Sequence, residues 1–88
     1  MMGVTMTWEE LDLPTPDEIA AKLRAAGVKG VPADANTCPL ACATGWKVWG
    51  HHASHYSHTA DGWRDLTLAQ TLFVHRFDNG YYLELLEF

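Results

Sequence analysis

Two start signals of the same kind, Thr15-Pro16-Asp17-Glu18 and Thr67-Leu68-Ala69-Gln70, set the frame for this chain. In each, a threonine hydroxyl precedes a Glu or Gln by three places, the pairing of a capping box at a helix N-terminus. Pro16 takes the first helical position, where a missing N–H costs nothing. Behind it Ile19, Leu23 and Ala26, with Ala20, keep helical spacing while Lys22 and Arg24 lie mostly off that stripe. Gly27 supplies the stop, so the spacing predicts a helix over 16–26. The second signal predicts a helix over 67–78, with Leu66, Ala69, Leu72, Phe73, Arg76 and Phe77 on one broad face and Asn79-Gly80 ending it.

Residues 27–66 must pack between these helices. Val28 to Pro32 reads as an extended connector broken by Gly30 and Pro32. A shorter helix is expected to begin near Cys38-Pro39, capped by Asn36 or Thr37, and to run through Leu40, Cys42 and Ala43 to Gly45. Trp46-Lys47-Val48-Trp49 is β-prone, and Tyr56-Ser57-His58-Thr59 is its expected partner, with the histidine-rich stretch on and around the turn between them. Asp61-Gly62 is a further turn signal. Residues 1–14 form an irregular arm whose Trp8, Leu11 and Leu13 either pack back on the domain or fray. The segment YYLELLEF, 81–88, is too short for periodicity to separate strand from helix. The expected fold is a single small α+β domain over 15–88. Two to three helices pack on a short antiparallel β-hairpin or a three-stranded sheet.

Chemistry concentrates in HHASHYSH, 51–58, where four of the five histidines fall, and in Cys38 and Cys42. Cys38, Cys42, His55 and His58 nearly meet the spacing of a classical zinc finger, C-x2–4-C-x12-H-x3–5-H. The elements are reversed, however: that finger puts cysteines on a hairpin and histidines on a helix. Zinc also needs three or four ligands converging tetrahedrally. If Ala53-Ser54 is a two-residue turn, strand alternation puts His51 and His58 on one face and His52 and His55 on the other; a three-residue turn pairs His51 with His55 instead, and neither register gathers all four. The simpler reading is a solvated hairpin tip above packed, buried thiols, since a free cysteine behaves as a small hydrophobe. Clustered imidazoles also titrate near pH 6–7, which makes a pH-responsive hairpin a second possibility. A Cys–His nucleophile pair is drawn only by residue type, with no local signature behind it. No Walker loop, Rossmann glycine pattern, HExxH or GxSxG occurs.

Composition removes further classes. Eleven acidic residues outweigh six basic ones, giving a formal charge of −5. The basic residues form no run, so nucleic acid is not an expected partner. No apolar window reaches the roughly 20 residues of a membrane span. The N-terminus lacks the basic and apolar regions of a signal peptide, and two cysteines suit a reducing compartment, so a cytoplasmic protein is expected. Four Trp, three Tyr and three Phe are many for 88 residues. Trp46 and Trp63 are expected to pack the sheet onto the helices. Trp49 is the expected exposed anchor, with His51, Tyr56 and His58 beside it.

The segments AAKLRAAGVKGV (20–31), DANTCPLA (34–41) and FVHRFDNGYYLEL (73–85) resemble a family of small, largely uncharacterised proteins of actinobacteria and their bacteriophages. These motifs are short but span nearly the whole chain after residue 14. Two positions depart from the pattern: Tyr82-Leu83 replaces its closing Tyr-Pro, and the histidine cluster is foreign to it. The resemblance implies a structural role for Cys38-Pro39 and a phage or accessory-genome protein acting by contact. It implies no activity, cofactor or catalytic residue.

The expectation is therefore a non-enzymatic protein, without a cofactor, that binds another protein or itself through an aromatic and acidic surface. A zinc module using Cys38 and Cys42 with histidines of 51–58 is the alternative, and Cys–His enzyme chemistry comes third.

Overall fold

The computed structural model describes residues 6–32, 37–49, 52–54 and 63–86. Helix α1 spans Pro16–Ala25, α2 Pro39–Thr44 and α3 Leu68–Asp78. Strands β1 (Lys47–Val48), β2 (His52–Ser54) and β3 (Trp63–Asp65) form an antiparallel sheet in that order. A 3-10 turn, Leu83–Leu85, follows α3. The expected α+β architecture is present, with three helices and a three-stranded sheet.

Both long helices begin where their capping signals stand. The Thr15 hydroxyl accepts from the Glu18 N–H at 3.2 Å and donates to the Glu18 carboxylate at 2.9 Å. At α3 the box is reciprocal: Thr67 Oγ1 accepts from the Gln70 N–H at 3.1 Å, and Gln70 Oε1 accepts from the Thr67 N–H at 3.0 Å. A third box, absent from the sequence expectation, sits in the N-terminal arm. Thr7 Oγ1 accepts from the Glu10 N–H at 3.2 Å and Glu10 Oε1 from the Thr7 N–H at 2.9 Å. This closes a tight turn that sends Trp8 and Leu11 inward, where both are buried with Met6. The described part of the arm is therefore packed, with the Met6 N–H bonded to the Ala43 carbonyl at 2.7 Å.

Gln70 binds the arm from the other side. Its amide Nε2 donates to the Leu11 carbonyl at 3.0 Å in a buried setting. Leaving such a partner unmade would cost about 1–3 kcal/mol. Turning Gln70 inward rotates α3 away from the expected face: Ala69, Gln70, Phe73, Val74 and Phe77 are buried, whereas Leu72 and Arg76 point outward. Phe73 and Phe77 stack at 6.2 Å, and with Leu11, Ile19, Leu23, Leu40 and Leu85 they form the fully buried centre, where α1 packs on α3. Burying each of these side chains contributes about 1.5–3 kcal/mol.

The expected hairpin is shifted in register. Lys47 pairs with Ser54 and Val48 with Ala53, and the Trp49 N–H donates to the His52 carbonyl at 2.8 Å. Ala53-Ser54 is thus strand, not turn, and β1 pairs with 52–54 rather than with 56–59. Two causes fit together. This register buries Val48 and Ala53 opposite each other, and Ala53 pairs again with Arg64 on β3. A two-residue turn also wants a residue that tolerates positive φ, which Ala-Ser does not supply. Residues 55–62, expected to hold the partner strand, lie outside the described residues.

Helix α2 starts at Pro39 with Cys38, not Asn36 or Thr37, at the cap position, and Cys38 makes no side-chain capping bond. What places it is Gly30. A Cβ there would lie 2.4 Å from the Thr37 carbonyl oxygen, 2.6 Å from Pro39 N and 2.7 Å from the Cys38 carbonyl carbon. The Gly30 N–H donates to the Leu85 carbonyl at 2.8 Å, and the Val31 N–H donates to the Thr37 carbonyl at 2.8 Å. Gly30 also bridges Leu86 in parallel fashion, so 81–86 combines a 3-10 turn with one bridge. Gly27 differs: its φ is +76° but the space around it is open. In urea unfolding, Gly30→Ala is expected to cost about 2–4 kcal/mol because backbone must move, against about 1–2 kcal/mol for Gly27→Ala, which strains only φ. Equal losses would contradict the close crossing.

Candidate functional site

Of the residues first expected to carry function, Trp49, Cys38 and Cys42 are among those described. Trp49 follows β1 directly with 38% of its surface exposed, and its ring stacks on His52 at 4.9 Å and 18° between planes. One face of the indole is thus already covered. His51, His55, Tyr56 and His58 lie outside the described residues. The expected split of His51 and His58 from His52 and His55 rested on a turn at 53–54, which the register removes.

The two cysteines are unlike each other, not both buried. Cys38 packs in the core with Pro39 and Leu40, and burial pushes its thiol from an ordinary 9.0 up to about 11. Cys42 is exposed, with its Sγ donating to the Thr37 carbonyl at 3.4 Å. Neither is in a disulfide. Zinc ligation requires the thiolate, and the surroundings of Cys38 favour the neutral form. Among the described residues no three His, Cys, Asp or Glu side chains gather as a metal-binding group.

The aromatics of the arm have structural partners. Trp8 meets Trp46 edge-on at 5.9 Å, and the Arg64 guanidinium sits 5.3 Å from the Trp8 ring centre. Trp46 thus packs on the arm as well as on the core. Of Trp63 only the backbone is described.

A different surface emerges on the outer side of α3. Leu72, His75, Arg76, Asn79 and Tyr81 line a shallow groove of about 400 Å³. Positions 68, 72, 75 and 79 follow one helical stripe, so Leu68 stands one turn before Leu72. Leu68 is 75% exposed, Leu72 38% and Tyr81 59%. Exposed leucines are ordinary one at a time; here two share a helix stripe and an aromatic closes its end.

The groove floor is built by the residues that end α3. The Asn79 side chain donates to the His75 carbonyl at 2.7 Å, and the Tyr81 N–H to the Arg76 carbonyl at 2.9 Å. Tyr82 adopts a left-handed conformation at φ +61°, unusual for a side chain of its size. Two contacts offset that strain: its ring stacks on Phe73 at 5.3 Å and its hydroxyl donates to Asp17 Oδ1 at 2.7 Å. Burial, and then the Asp17 bond, raise the Tyr82 pKa. The Tyr82 hydroxyl favours the charged form of Arg76 most, and Asp17, whose Oδ1 lies 3.7 Å from Arg76 Nη1, adds to it. Tyr82 turned inward leaves Tyr81 outward, as one wall of the groove.

Sequence reasoning placed Leu72 and Arg76 on the core face and so missed this surface. No local signal marks it: Glu18, at the matching position of the Thr15 signal, is exposed, and the inward stripe through 70, 73, 74 and 77 follows from the bond of Gln70 to the distant Leu11 carbonyl, which leaves Leu68 and Leu72 outside it.

No protein-family model, curated protein or solved structure matches this chain. Among the described residues no helix is long and apolar enough to cross a membrane.

The thiols give a direct check. At pH 8 native protein should take up a thiol reagent at Cys42 quickly, with Cys38 reacting only on unfolding. Because the folded pKa of Cys38 lies above its unfolded value, its contribution to stability is whole below about pH 9 and is lost as pH rises through about 11. The wild-type advantage over Cys38→Ala in urea should shrink by on the order of 2 kcal/mol across that window. A difference that stays flat would contradict a buried Cys38.

Proposed function

We propose that this protein acts by contact with another protein, without catalysis, through the outer face of α3 and Tyr81. The observation that carries this reading is the clustering of Leu68, Leu72 and Tyr81 beside one groove, while the core they might have joined is already filled by Phe73, Val74 and Phe77. Apolar and aromatic side chains held on a rigid helix lose little entropy when covered, which suits a contact surface. Trp49 is a lesser anchor because His52 covers one of its faces. The setting proposed is the cytoplasm, and the resemblance to small actinobacterial and phage proteins supports an accessory role exerted on a host or phage partner.

A photo-crosslinking amino acid placed at Leu72 or Tyr81, in cells of the native source, should give discrete adducts of higher mass. The same group at the exposed Ala21 of α1 should give none. Adducts equally frequent from all three positions would overturn the reading. Leu72→Asp should remove the Tyr81 adduct while changing stability by no more than about 0.5 kcal/mol, since Leu72 lies outside the core.

A further inference from the structure

We draw no further inference here: the strongest candidate, the exposed stripe of Leu68 and Leu72 on the outer face of α3 with Tyr81 at its end, belongs to the surface already described, and nothing in the structure shows what covers it.

Discussion

Everything in this small domain turns on the close passage of backbone at Gly30. Three chain segments meet there: the connector leaving α1, the entry to α2 and the C-terminal strand-like residue Leu86. The missing side chain admits Thr37, Cys38 and Pro39, and the free N–H takes the Leu85 carbonyl. Burial of Cys38, Leu40 and Leu85 follows from that crossing. A chain of 88 residues has a small core, so a few such crossings must do what a larger domain does with area.

The second organising device is the Thr-x-x-(Glu/Gln) box, used at Thr7, Thr15 and Thr67. Two of them start helices and one folds the arm, and Gln70 does double duty by reaching the Leu11 carbonyl. That single buried amide joins the arm to α3 and sets which side of α3 faces the core. Function is thereby linked to folding: the rotation that buries Gln70 and Val74 is the same rotation that exposes Leu68 and Leu72.

Local signals in the sequence carried the helices well, because a cap, a proline and a stop glycine act within a few residues. The predicted ends of α1 and α3 lie within a residue of those observed. What failed was nonlocal. The β1–β2 register depends on burying Val48 with Ala53 and on pairing to β3, neither of which a pattern of β-prone residues reveals. The face of α3 depends on a bond to Leu11 across the molecule, so six apolar and basic residues at helical spacing pointed to a stripe that was partly wrong. For the candidate site, Trp49 was legible as exposed, but the groove at Leu72 and Tyr81 was not. Cys38 was read correctly as a packing residue, and Cys42, one turn away on the same short helix, was not.

The Gly30 crossing belongs to the same cooperative unit as the α1–α3 core, and native-state amide hydrogen exchange tests that most directly. The Gly30 and Val31 amides should exchange only through global unfolding, with the protection found for Phe73 and Phe77 at the centre of the domain. Exchange of Gly30 and Val31 at the rate of solvent-exposed amides, while Phe73 stays protected, would contradict it.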